Sequence, residues 1–257
     1  MLIANYHTHT PRCFHAVGTE EEYVRAALSS GMQILGFSDH TPQWFPGDYY
    51  SNMRMYPHQL PEYCDTVRSL RDKYAGQIRV LLGVEAEYYP QIFSELLRRL
   101  RDQGVEYMIM GQHWAGCEIG EVYSGRPQGD SDYLRRHCRQ VMEGINTGYF
   151  TYIAHPDTVN FTGDTKVYAE NIRQLCREAK GCGIPLEINL LGLGENRHYP
   201  NPRFWEIAAE ENCDCVIGFD AHFPDALART DVYARALQIV DKFGLNLLDT
   251  VALRPLG

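Results

Sequence analysis

The chain predicts a parallel α/β barrel of seven strand–helix units, a single domain over residues 1–257. Three observations predict it. Short apolar runs alternate with amphipathic helical stripes from end to end, with no linker, repeat or low-complexity tract. Several of the runs are almost continuously apolar, as in Gln33–Phe37 and Tyr107–Met110, which fits strands buried on both faces of a parallel sheet. Six of the seven runs are also followed or closed by a side chain that can bind a metal. An open sheet spreads its strand ends along a line, whereas a closed ring brings them to one mouth, where barrel sites are built.

The elements follow in order. Residues 2–6 form the first strand and lead into His7-Thr8-His9. Residues two apart in a strand share a face, so this triplet aims two imidazoles at one point. His15 follows in the loop. Thr19 with Glu22 reads as a capping box for the helix that carries Val24, Ala27 and Leu28. The second strand, 33–37, is followed by Asp39-His40. Leu60, Tyr63, Val67, Leu70 and Tyr74 then step by 3, 4, 3 and 4, the spacing of a helix face. The third strand, 79–84, ends on Glu85, and the fourth, 106–111, precedes His113. A second stripe runs through Leu134, Cys138, Val141, Met142 and Ile145. The fifth strand, 150–154, leads to His155. The sixth, 184–189, leads into a glycine-rich loop containing Arg197. The seventh, 214–218, leads to Asp220 and His222.

Bulk properties exclude several functions. The net charge of −9 argues against a nucleic-acid or anionic-membrane surface. No 18-residue apolar stretch is present, so no transmembrane helix is expected. Met1–Tyr6 is too short and too soon polar to read as a signal peptide. The eight cysteines form no CxxC pair, and their scatter suits reduced thiols in the cytoplasm. Cys213 and Cys215 sit in strand-like sequence and read as small core residues.

Seven of the ten histidines lie near the ends of strands. His58 and His137 fall on helical patterns and read as surface residues, and His198 falls in a loop. Together with Gly36-Phe37-Ser38-Asp39-His40, Gly83-Val84-Glu85, Gly111-Gln112-His113, Ala154-His155-Pro156-Asp157, Glu187-Ile188-Asn189 and Asp220-Ala221-His222, this pattern resembles the PHP (polymerase and histidinol phosphatase) superfamily in its monofunctional histidinol-phosphatase branch. The likeness runs over essentially the whole chain. It implies a distorted (β/α)7 barrel, which agrees with the seven units counted above. It also implies two to three divalent ions, Zn, Fe or Mn. His7, His9, Glu85 and Asp220 would hold the first ion. Glu85, His113 and His155 would hold the second, with Glu85 bridging. His15, His40 and His222 would hold the third. Asp39 would orient a ligand imidazole from behind. Phe219 departs from the serine usual before this aspartate, a change expected to alter packing rather than ligation.

Such a cluster suits hydrolysis of a small-molecule phosphate ester by a hydroxide held between two ions. Asp220, His222 or bound water would protonate the leaving alkoxide, and Glu85 would hold the ions together. Arg197 is the leading candidate for the phosphate, with Arg12, Arg54 and Lys166 behind it. For a substrate carrying an ammonium and an imidazole, Glu118, Glu121, Asp157 and Glu195 are candidate carboxylates, and Trp44, Phe45 and Trp114 candidate walls. A phosphoesterase for another ester and a metal-binding module without turnover are the alternatives. The oligomeric state is left open.

Overall fold

The computed structural model describes residues 2–257. Eight parallel strands pair in chain order. They are β1 (Ala4–Asn5), β2 (Ile34–Phe37), β3 (Arg79–Ala86), β4 (Tyr107–Met110), β5 (Phe150–Ile153), β6 (Leu186–Asn189), β7 (Asp214–Gly218) and β8 (Asn246–Leu247). Between them run α1 (Glu20–Ser29), α2 (Leu60–Lys73), α3 (Phe93–Asp102), α4 (Ser131–Asn146), α5 (Thr165–Gly181), the short α6 (Leu190–Gly194), α7 (Pro202–Glu210) and α8 (Thr230–Phe243).

The sheet curls until its two ends meet at the mouth. His9 N donates to Ala221 O (2.9 Å) and Ala221 N to His7 O (3.1 Å), a parallel bridge between the segments leaving β1 and β7. The main chain of Phe219 also donates to Asn5 Oδ1 at 2.8 Å. Seven strands therefore surround the mouth. β8 adds an eighth, pairing with the start of β7 at Asp214 and Cys215. The sequence showed no signal for β8, because two residues, one of them Asn, make no apolar run.

Alternation of side chains divides the core in two. Ala4, Tyr6, Leu81, Tyr107, Ile109, Tyr152, Ala154 and Val216 pack inside the ring. Val80, Leu82, Val84, Met108, Met110 and Ile188 face the helices. Tyr6 and Tyr107 meet edge to face (centroids 6.1 Å apart), and Tyr107 Oη donates to Tyr6 O at 2.8 Å. The interior below the mouth is thus packed rather than open, as barrel interiors are.

The helical readings hold in detail. Thr19 and Glu22 form the reciprocal capping box of α1. Leu60, Tyr63, Val67 and Leu70 are buried along α2, and Leu134, Cys138, Val141 and Ile145 along α4. His58 is exposed, but His137 is a correction: on α4 it is only 3% exposed, with burial, His113 and His155 together pushing its imidazole down to about 4. A helical histidine reads as polar, and only the packing shows that its face turns inward. The eight cysteines are unpaired. Cys213 and Cys215 are buried, with Cys213 Sγ donating to Cys176 O at 3.3 Å. No helix among the described residues is long and apolar enough to cross a membrane.

Candidate metal centre

Glu85, the next-to-last residue of β3, is the hub of the strand ends. His7 Nε2 and His9 Nε2 each lie 3.6 Å from Glu85 Oε2, and His40 Nδ1 lies 2.8 Å from the same oxygen. On the other oxygen, His155 Nε2 stands at 2.8 Å and His113 Nε2 at 3.7 Å. Asp220 Oδ1 lies 3.4 Å from His7 Nε2 and 3.0 Å from His9 Nε2. His222 stacks on His9 (centroids 4.1 Å) and on His15 (4.8 Å).

The ligand atoms fall into groups able to hold a metal: His7, His9 and Asp220; His7, Glu85 and His155; His9, His40 and His222. His15 groups with Cys13 and His222, an arrangement the sequence reading did not contain. All nine residues expected at the metals therefore come to one mouth.

Six of the seven imidazoles are held from behind. His7 Nδ1 bonds Glu187 Oε1 (2.9 Å), His113 Nδ1 bonds Glu87 Oε1 (2.9 Å), and His155 Nδ1 meets Thr158 Oγ1 (2.8 Å). His9 Nδ1 faces Asp39 Oδ1 at 3.4 Å, so Asp39 does sit behind an imidazole. His15 Nδ1 and His222 Nδ1 donate to the carbonyls of Cys13 (2.6 Å) and Asp220 (2.9 Å). Asn189 Nδ2 donates to Asp220 Oδ2 at 3.0 Å. Such outer partners set the tautomer and raise the basicity of the inward nitrogen.

Six of the inward atoms have no such partner. His7 Nε2, His9 Nε2, His40 Nδ1, His222 Nε2, Glu85 Oε2 and Asp220 Oδ1 are buried with no hydrogen-bond partner among the described residues. Other buried polar atoms without a partner, such as Tyr89 Oη and Tyr168 Oη, are scattered through the core, whereas these six converge on one point and fit cations.

Backbone geometry serves the same end. His155 (φ 30°) and Asp220 (φ 49°) are non-glycine residues in the left-handed region, a cost tolerated where the fold demands an aim. Two glycines make room for carboxylates: a Cβ on Gly111 would strike Glu85 Oε1, and one on Gly218 would strike Glu187 Oε1. Gly111→Ala should therefore displace Glu85 and lower kcat/KM by on the order of 100-fold. Steady-state kinetics on folded variant checks this, and a change of less than twofold would refute the tight approach.

Electrostatics follows from the carboxylates. Burial lowers His7, but Asp220, Glu187 and Glu85 outweigh it and push the imidazole up to about 10. Burial works against the charge of Glu85, yet His40, His7 and His113 hold it well below the usual carboxylate range. Burial and His9 push His222 down to about 3. The mouth is an anionic nest that takes up either protons or metal cations.

Above the cluster opens a cavity of about 660 Å³. His15, His40, Glu85, His113, His155, Asp220 and His222 form its floor. Trp114, Tyr123, Tyr199, Phe223, Glu195, Arg126 and Arg197 form its walls. Arg197 is there as expected, held by Glu195 (2.7 Å) and Tyr199 Oη (2.9 Å). Arg126 and Tyr123 were missed. They sit on the irregular segment between β4 and α4, which has no periodicity to read.

Other candidates lie elsewhere. Arg12 is paired with Glu20 and Glu62, and Lys166 is exposed at the start of α5. Arg54 and Glu118 are buried against each other, Glu121 holds Arg136, and Asp157 is buried on Trp205 Nε1 (3.0 Å). Trp44 packs against the core and Phe45 lines a different cavity. Of the four candidate carboxylates only Glu195 reaches the wall, and of the three aromatic candidates only Trp114. Phe219 is buried in the core and donates its N–H to Asn5 Oδ1.

The fold and the mouth together define a class: a parallel α/β barrel carrying a histidine–carboxylate cluster able to bind metal at the C-terminal ends of its strands. The PHP domain family matches residues 5–190, and the chain belongs to that family. A probable histidinol-phosphatase of Deinococcus radiodurans is 33% identical over 233 residues, covering 86% of this chain and 87% of that protein. A probable histidinol-phosphatase of Schizosaccharomyces pombe is 26% identical over 278 residues, covering 98% and 90% respectively. Among solved structures, histidinol phosphate phosphatase from Lactococcus lactis, complexed with zinc, L-histidinol and phosphate, matches with a TM-score of 0.75. That match covers 98% of this chain and 99% of the other at 19% identity, and speaks for the shared fold.

Proposed function

We propose that this chain is a metal-dependent phosphomonoesterase that hydrolyses histidinol phosphate in the cytoplasm, acting as one domain over residues 1–257. The carrying observation is the set of six orphaned ligand atoms converging around Glu85 beneath an open cavity. The names of the two relatives support the choice of substrate.

His7, His9, Glu85 and Asp220 would hold a first ion, Glu85, His113 and His155 a second, and His15, His40 and His222 a third. The donor set of imidazoles and carboxylates suits Zn, Fe or Mn. When bound, two or three such ions supply activation of water and charge neutralisation at a phosphoryl group. The rest falls to the chain. Glu85 offers one oxygen to His7, His9 and His40 and the other to His113 and His155, the placement of a bridging carboxylate. His7 and His9 favour the anionic form of Asp220 against its burial, and burial and His9 favour the neutral form of His222. In those forms both suit metal ligation. Arg197 and Arg126 bring two guanidinium groups to the cavity for the phosphate dianion. Glu195 offers the wall's carboxylate to the substrate ammonium, and Trp114, Tyr123 and Tyr199 offer faces to its ring.

The test compares kcat/KM for histidinol phosphate with a panel of sugar, nucleotide and aryl phosphates. Histidinol phosphate should be preferred by orders of magnitude. Equal rates with p-nitrophenyl phosphate would move the chain to a different ester. Absence of both turnover and bound metal would leave neither. Arg197→Ala and Arg126→Ala should each raise KM on the order of tenfold to a hundredfold, the range for a lost charged hydrogen bond. An unchanged KM in either would place the phosphate away from that arginine.

A further inference from the structure

Arg54 has no part in the reaction described so far, yet it is the most completely bonded charge in the molecule. It lies between β2 and α2 and is 1% exposed. All five of its N–H groups are used. Nε and Nη2 donate to Glu118 Oε2 (2.9 and 2.7 Å). Nη1 and Nη2 donate to Glu87 Oε2 and Oε1 (both 2.8 Å), and Nη1 also to Thr41 O (3.2 Å). Glu87 Oε1 is the oxygen that holds His113 Nδ1, and Glu118 Oε1 accepts from Tyr49 Oη at 2.7 Å. Glu87 and Glu118 are 1% and 7% exposed.

A buried triad of this kind is an expensive way to gain stability, because apolar residues of the same volume commonly do as well. Its position suggests another use. Glu118 sits on the segment between β4 and α4 that also carries Trp114, Tyr123 and Arg126 to the cavity wall. That segment folds back on itself through a Trp114–Tyr123 bridge and a bond from Ser124 N to His113 O (2.8 Å). The guanidinium of Arg54 lies 5.9 Å from the Trp114 ring centroid, directly behind the wall.

We propose that Glu118, Arg54 and Glu87 form a positioning brace that locks the wall carrying Tyr123 and Arg126 to the carboxylate behind His113. Substrate affinity and the hold on the ion at His113 are thereby coupled through one guanidinium. Its planar fork fixes both carboxylates at once, which a lysine cannot do. The inference rests on the phosphatase reading for its kinetic arm alone.

Three variants test it: Glu118→Gln, Arg54→Lys and the mild Tyr49→Phe. Glu118→Gln should raise KM for histidinol phosphate about tenfold with kcat within about twofold, because the wall loosens while the metals stay. Deuterium exchange across 114–129 should speed up, and release of Zn²⁺ to a chromogenic chelator should stay within about twofold of the unsubstituted protein. Arg54→Lys should raise KM and also speed Zn²⁺ release by about 10–100-fold, since Glu87 loses its anchor. Tyr49→Phe should give a smaller KM rise and is the deciding variant if the other two do not fold. Unchanged KM and exchange in Glu118→Gln, unchanged Zn²⁺ release in Arg54→Lys, or an unchanged KM in Tyr49→Phe would each overturn the brace. If the unsubstituted protein turns over no phosphate ester, the functional reading fails, and exchange and Zn²⁺ release still decide the brace.

Discussion

Glu85→Gln is expected to abolish turnover while leaving the fold intact. The side chain keeps its shape, so the packing of β3 is untouched. The change removes one negative charge from the point where five imidazoles face a single carboxylate. An amide cannot bridge two cations through two anionic oxygens, so at least one ion per chain should be lost. The fall in kcat should exceed the ~10–100-fold typical of losing an outer partner of a metal ligand. Elemental analysis, near-UV circular dichroism and steady-state kinetics together check this. Near-normal activity with full metal content would refute the bridging role.

Removing the metals is expected to be as severe, and reversible. Chelation should end activity, and adding back Zn²⁺ or Mn²⁺ should restore it. The pH dependence of reloading follows from the carboxylates around His7. In the metal-free protein they hold that imidazole at about 10, so it keeps its proton through neutral pH. A cation must displace that proton, because only the free nitrogen ligates. Protons should therefore be released on loading at pH 7. Apparent affinity should rise with pH, by up to about tenfold per unit for each proton displaced, and level off as pH passes the His7 value. Calorimetry in buffers of different ionisation enthalpy reads the proton count directly. Affinity that is flat between pH 6 and 9 would mean that His7 is not a ligand.

Much of this site could be read from the chain because its chemistry is tied to local periodicity. The alternation of strands places His7 and His9 on one face, and the ends of apolar runs mark where Asp39-His40, Glu85, His113, His155 and Asp220 emerge. The same rule applies to Glu87, two residues after Glu85 and just past the end of β3, and to Glu187, two residues before Asn189 on β6. Their task as partners behind His113 and His7 was not legible, because it depends on residues 26 and 180 positions away. Arg126 and Tyr123 left no trace in sequence pattern, since an irregular segment has no period and its side chains are aimed by what it packs on. Arg54 looked like a loop arginine free for phosphate. Its charge is consumed by Glu87 and Glu118, and sequence does not state which charges meet.

The family and the roster of candidate metal ligands were thus written in the order of residues along the chain, because strand period and strand end are local properties. The closure of β1 on β7, the inward turn of His137, the identity of the groups behind the imidazoles and the pairing of Arg54 with Glu87 and Glu118 were settled by packing. Each is a contact between distant segments, and its energy depends on burial and distance in three dimensions, which no local pattern encodes.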